Sequence, residues 1–266
     1  MTTNTPESRL KVQLATHADD IQRSQRLRHQ VFVREMGAQA QVDAQGLEFD
    51  HYDPFCHHLL VIDQETDEVV ASTRILTDTQ AQLAGGFYSA NEFDMDMIGR
   101  LPGRVMEIGR TCVHPDYRNG ATIGMLWQGL ARFMDIHRIG HLFGCASIPM
   151  SDGGAAARQI MDELRGKFMS PAEHRVAPRL PLPAPSVGQD ANATADGKIR
   201  MPPLLKAYMR LGAQVCGEPC WDPDFDCADI FILLDVERLQ ARYHRHFVQR
   251  QAPIQNDSSP SAREAA

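Results

Sequence analysis

The chain has 266 residues, 43% of them hydrophobic, and a formal net charge of -7. That is ample apolar material for one large domain or two small ones, and the negative balance excludes a sequence-independent grip on nucleic acid, which needs an excess of Lys and Arg. The start, MTTNTPESRLKVQL, lacks the apolar run of a secretory signal, and no stretch reaches the ~18 consecutive apolar residues of a spanning helix, so a cytoplasmic location is expected.

Residues 1–18 read as a loose polar start. From Asp19 or Asp20, the run IQRSQRLRHQVFVREM is a helix ending at the cap signal Gly37, with Arg28, Phe32 and Glu35 on one face. An acidic loop, VDAQGLEFDHYDP, leads into the strand HHLLVID, then a turn at QETD and a second strand, EVVASTRIL. A Gly-containing loop and a short segment from Asn91 to Ile98 precede the strand at residues 105–113. A helix from about Ala121 to Ile139, stopped by Gly140, and the strand HLFGCASIP complete a crossover unit. GGAAARQIMDELRGKF reads as a helix. The Pro-rich stretch within residues 165–200 reads as an insertion over the surface, and MPPLLKAYMRLG as a short helix before the strand ADIFILLDV. VERLQARYHRHFVQR has the pattern of a closing amphipathic helix, and residues 251–266 have the composition of a disordered tail. Domain limits of 19–250 follow.

Glu107 and Arg110 are the charged pair inside the strand VMEIGRTCV. Three apart in a regular strand, they point to opposite faces; an extra residue at Gly109 would bring them to one face and bend the strand away from its neighbour. The bland alternative is a buried ion pair without catalysis.

The order strand, bulge, Arg118-containing turn, helix, strand is similar to the GNAT acyltransferase superfamily, whose members bind a phosphopantetheine thioester in a notch between two splayed strands. Arg28, Phe32, Glu35, Asp50, Asp53, Arg74 and the Glu107–Arg110 run resemble the acyl-homoserine lactone synthases. A fuller resemblance, over roughly residues 20–248, is to the ornithine N-acyltransferases that make lyso-ornithine lipid from a 3-hydroxyacyl carrier protein. It rests on EIGRTCVHPDYRNG, IGMLWQGL, FGCASIP, MPPLLKAYMRLGA and DPDFDCADIFILLDVERL.

These resemblances imply an α/β fold of GNAT type, a mixed central sheet splayed at a bulge in its fourth core strand and flanked by helices. They imply an acyltransferase with no permanently bound cofactor, its donor arm being the phosphopantetheine of acyl carrier protein. Ornithine is the expected acceptor. An acyl-homoserine lactone synthase, an acyltransferase using another amino acid, and a catalytically silent acyl-binding or membrane-active protein are the rivals. A lipid product leaves peripheral contact with the inner membrane open, and the run around Arg242–Arg250 is basic.

Aminolysis of a thioester needs a neutral amine, so Glu107 is the candidate base, with Glu35 in reserve. Holding geometry is the alternative for each. Arg28, Phe32, Asp50, Asp53, Arg74 and Arg110 form the expected structural or amino-acid-binding cluster. Backbone amides of Thr111, Cys112 and Val113 are placed to polarise the thioester carbonyl. The superfamily's phosphate loop is matched by Arg118, but Ala121 and Ile123 stand where two small residues are usual unless Asn119, Gly120 and Gly124 serve through a shift. The resemblance also makes Tyr208 a candidate general acid for the departing sulfur, against the alternative of a packed helix tyrosine. No metal is expected: in DPDFDCAD, Cys227 and Leu233 replace the Gly and Glu that a calcium loop requires. The six cysteines read as reduced small hydrophobes and the twelve methionines as core filling.

Overall fold

A computed structural model describes residues 9–184 and 201–239. The first element, β1 (Leu10–Leu14), is an edge strand where a loose start is expected; its register runs from Leu10 opposite Asp63 to Leu14 opposite Leu59. The alternation in LKVQL is too short to stand out beside the polar residues before it. Helix α1 (Ala18–Arg28) continues as a π-helical segment, His29–Glu35, and stops at Gly37, φ +77°. Then come β2 (His57–Asp63), β3 (Glu68–Thr77) and α2 (Asp78–Ala84). The last is a helix in the stretch read as loop, and the Thr77 side chain caps it by accepting from the Gln80 amide.

A short β4 (Phe93–Asp94) precedes β5 (Arg104–Val113), α3 (Gly120–His137), β6 (Ile139–Pro149) and α4 (Ala155–Arg165). α3 ends at Arg138, itself left-handed at φ +52°, two residues before the expected Gly140. The front of the expected insertion is built into the body: β7 (Ala177–Pro178) pairs with β4, and Val176 is buried beside Phe93 and Phe231. Residues 185–200, the closing helix beyond Leu239 and the 251–266 tail lie outside the described residues. The last elements are α5 (Pro203–Leu211), β8 (Gln214–Val215), β9 (Cys220–Asp222) and β10 (Cys227–Asp235).

The main sheet runs β1-β2-β3-β5-β6-β10-β8, with β9 on β10; only β5 and β6 pair in parallel among its strands. Their crossover through α3 is the expected unit. β2 shows why HHLLVID is apolar without a break: Leu59 and Val61 face the core shared with α3, while Leu60 and Ile62 face Leu27, Val31 and Phe32 of the first helix. A strand covered on both sides has no polar face to show. Among the described residues no helix is long and apolar enough to cross a membrane.

The pairing of β5 with β6 ends at Glu107 opposite Phe143. Just beyond, a Cβ on Gly144 would sit 2.3 Å from the Ile108 carbonyl oxygen, so the two backbones touch there before they part. Gly144→Ala forces that backbone contact open and is expected to cost about 1–3 kcal/mol by overpacking. A urea unfolding series checks it; an unchanged midpoint would show that the strands yield freely at this point.

Candidate active site

The notch is made by a bulge whose place differs from the expected one. Arg74 lies opposite Gly109 but Ser72 lies opposite Cys112, so one residue of β3, Thr73, stands against two of β5, Arg110 and Thr111. The left-handed residue is Arg110, φ +49°, and Gly109 has no positive φ. A non-glycine in that conformation is held by its surroundings. The guanidinium carbon of Arg110 lies 4.9 Å from the ring centre of Tyr88 and 4.4 Å from that of Phe225, Nε donates to Glu48 at 3.2 Å, and Asp50 is 3.3 Å away.

Glu107 and Arg110 line one cavity but do not form an ion pair with each other among the described residues. Glu107 instead accepts the backbone N–H groups of Tyr88 at 2.7 Å and Ser89 at 2.8 Å, together with the Ser89 hydroxyl. Burial raises its pKa, although those donors and Arg74 act in the opposite direction. Through Tyr88, Glu107 also positions one wall of the aromatic clamp on Arg110.

Arg28, Arg74, Asp50, Asp53 and Arg110 do come together, joined by Glu48. Arg28 binds Glu48 and Asp53, Arg74 binds Asp50 and Asp53, and Arg110 closes the ring through Glu48 and Asp50. Arg28 and Glu48 are fully buried. Burial alone would raise Asp53, but its bonds from Arg28 and Arg74 hold it far below the ordinary carboxylate range; Asp50 is lowered through Arg74 and Arg110 against the same burial. Three arginines facing three carboxylates balance in charge, and the network they form frames the bulge.

The three residues expected on one helix face part company along the wider π turn. Arg28 enters the network, Phe32 packs edge-on to Phe225 at 5.8 Å, and Glu35 forms a two-pronged pair with Arg118, both contacts 2.6 Å. The Arg118 guanidinium holds the Glu35 carboxyl below its usual range, which makes it a poor proton acceptor near neutral pH. Glu35→Gln releases an exposed pair, so stability is expected to change by less than about 1 kcal/mol, while Arg118 becomes free to swing. Thermal denaturation alongside a titration of the acyl donor separates these effects; a large fall in stability would contradict the exposed-pair assignment.

Thr111, Cys112 and Val113 line the notch. Tyr208 is buried beneath it, packed edge-on to Trp127 at 5.5 Å, with its hydroxyl beside Thr111. Burial raises that phenol further. The Asn119 side chain caps α3 by accepting from the amides of Ala121 at 3.0 Å and Thr122 at 3.1 Å. Gly120 and Gly124 face open space, where an added Cβ would meet nothing within 4 Å.

Three cavities adjoin here. A slot of 440 Å³ runs between the parted strands from Arg118 and Ile123 down to Glu107, lined mainly by apolar side chains. At its outer end it shares Arg118, Ile123 and Pro203 with a groove of 1060 Å³ between α3 and α5, whose walls include Lys206 and Arg210. At its inner end it shares Tyr88, Glu92, Arg110, Asp222 and Phe225 with a polar cavity of 520 Å³.

Sequence reasoning missed Glu48, Glu92 and Asp229 and set Asp222 aside with the calcium pattern. Glu92 accepts the Cys145 thiol at 3.1 Å, and Asp229 accepts the Ser147 hydroxyl at 2.6 Å. Burial first, then neighbouring carboxylates, pushes both upward: Asp229 and Asp222 act on Glu92, and Asp222 acts on Asp229. One side-chain oxygen or sulfur atom from each of Asp222, Cys227 and Asp229 lies within 4.8 Å of the other two. All six cysteines are free thiols, and Cys112, Cys145 and Cys227 are raised by burial, which keeps them inert.

Residues 27–128 match the acetyltransferase (GNAT) domain family. An L-ornithine N(alpha)-acyltransferase of Rhodobacter capsulatus is 36% identical over 247 residues, covering 90% of this chain and 95% of the relative. One from Agrobacterium fabrum is 35% identical over 249 residues, covering 90% and 85%. Among solved structures, FeeM, an N-acyl amino acid synthase from uncultured soil microbes, superposes with a TM-score of 0.50 at 10% identity, over 90% of this chain and 97% of that one.

Proposed function

This chain belongs to the L-ornithine N(alpha)-acyltransferase family on the GNAT fold, and from that premise we propose that it moves a 3-hydroxyacyl chain from acyl carrier protein to the α-amino group of ornithine. The observation that carries the reading is the apolar slot between the parted strands, bordered at one end by a basic groove and at the other by a polar cavity. A thioester on a long arm and a charged amine have to arrive from different surroundings and meet at one carbon. That junction has the form.

The phosphopantetheine arm of the carrier supplies the thioester and is spent as substrate. Its phosphate is assigned to the open floor at Gly120 and Gly124 beside Arg118, since the first amides of α3 are already taken by Asn119. The amides of Thr111–Val113 face the thioester carbonyl, where developing negative charge is worth most in a dry site.

The α-ammonium gives up one proton to become an amine, attacks the carbonyl carbon, and gives up a second as the C–N bond becomes an amide. The C–S bond breaks, and one proton accompanies sulfur as the carrier thiol. Glu107 is the carboxyl at the slot floor placed to take protons, directly or through water. Tyr208 reaches the slot through Thr111, so protonation of the departing sulfur passes along that hydroxyl. Peripheral contact with the inner membrane belongs to the same reading, because the product is a lipid.

Release of the carrier thiol, followed with a thiol reagent, tests the reaction class. The rate is expected to depend on ornithine concentration and to saturate; thiol release indifferent to any amino acid would make the protein a thioesterase and overturn the proposal.

A further inference from the structure

The polar cavity has features that the donor slot does not need. Its rim residues Gln39, Arg179 and Asp224 are exposed, so it opens to solvent by a mouth of its own. Its inner wall carries charges of both signs: Arg110, clamped between Tyr88 and Phe225, and a carboxyl group set of Asp222 and Glu92 with Asp229 behind them. Among the described residues none of these three carboxyls forms an ion pair, and Asp222 raises the charge cost of both Glu92 and Asp229. On the cation side, Arg74 is 3% exposed, lines the slot at the same junction, and keeps its Nε without a hydrogen-bond partner among the described residues. Arg74 and Arg110 both belong to the neutral six-residue network, and they bring its cationic edge to the border of the two cavities, opposite the unpaired carboxyl group of Asp222.

Resting on the acyl-transfer reading above, we propose that this polar cavity is the acceptor chamber, entered separately from the acyl arm, in which Arg110 receives the α-carboxylate of the amino acid and Asp222 receives the ammonium of its side chain. The backbone position of Arg110 fits the first role. The bulge turns its side chain toward the junction, and the two rings prevent it from following the substrate. Asp222 fits the second: Oδ1 accepts the amides of Asp224 at 2.9 Å and Phe225 at 3.1 Å, which fixes the carboxylate on its turn. A side-chain cation relieves the repulsion among Asp222, Glu92 and Asp229. A neutral side chain of the same length leaves it in place, so the chamber selects basic amino acids over apolar ones. Burial favours this selection, because an ion pair in a partly dry cavity is discriminated more sharply than one in water.

The test compares ornithine with norvaline, which has the same carbon chain without the side-chain amine, using carrier-bound donor and the full-length protein. Wild type is expected to favour ornithine by at least 100-fold in kcat/KM. In Asp222→Asn, which keeps an oxygen for the turn amides, that ratio is expected to fall at least 10-fold, chiefly through KM for ornithine, with norvaline turnover retained. Asp222→Glu, a second variant should the first fail to fold, is expected to shift preference toward the shorter 2,4-diaminobutyrate. An unchanged ornithine-to-norvaline ratio in a folded variant overturns the chamber assignment. So does abolition of the wild-type preference by EDTA, which would give the carboxyls to a divalent cation. Failure of wild type to acylate any amino acid is a separate result and rejects the acyl-transfer reading itself.

Discussion

Asp53→Ala is expected to lose about 3–5 kcal/mol of folding stability, the usual cost of leaving a buried charge without its partner. Asp53 is 6% exposed and binds both Arg28, at 2.6 Å, and Arg74, at 2.9 Å. Removing it strands two buried guanidinium groups at once, and the network that frames the bulge loses its link between the first helix and β3. For a protein of this size the loss corresponds to a fall in Tm of about 10 °C or more. The pH dependence has a defined sign. Asp50 and Asp53 have folded-state pKa values below their unfolded ones, so their contribution is complete above about pH 4 and is lost as pH falls through the lower, folded values. Wild type should therefore show an acid-induced loss of stability that is smaller in Asp53→Ala. Thermal denaturation from about pH 3 to about pH 7, a span that covers most carboxylate titration, checks both; a change in Tm within about 2 °C would mean that the network is dispensable.

Glu107→Gln is expected to lower acyl transfer by about 10²–10⁴-fold while the protein still folds. The amide replaces one acceptor oxygen by a donor among three N–H and O–H donors, which costs about 1–3 kcal/mol and frees the loop that carries Tyr88. The pH profile separates a proton acceptor from a positioning residue. Burial raises the folded pKa of Glu107, so if it takes the proton, wild-type rate climbs with pH as it ionises, and that limb disappears in the variant. If Glu107 only holds Tyr88 and Ser89, the limb survives at reduced height. Unchanged turnover removes Glu107 from the reaction.

The strongly patterned parts of the fold were legible in the sequence. β2 and β3 lie where alternation and apolar runs place them, and the crossover from β5 through α3 to β6 follows from strand, Gly-punctuated helix and strand in order. The bulge was legible as a need and misplaced by one residue. Glycine is the local signal for unusual backbone, yet the left-handed residue is Arg110, stabilised by Glu48, Tyr88 and Phe225 from three distant segments. No window of sequence contains those contacts. The same reason hid Glu92 and Asp229, which look like ordinary loop and strand residues until the fold brings these distant positions together in one buried pair. β1 and α2 were hidden differently, each being short and without a strong boundary.

The central claim, transfer of an acyl chain to one particular nitrogen, is tested most directly with ornithine labelled with nitrogen-15 at the α position. The purified protein is mixed with 3-hydroxyacyl carrier protein and the labelled amino acid, and the lipid product is fragmented in a mass spectrometer. A carrier-dependent product whose amide nitrogen carries the label is expected. An amide on the unlabelled side-chain nitrogen, or no N-acyl product at all, would contradict the central claim.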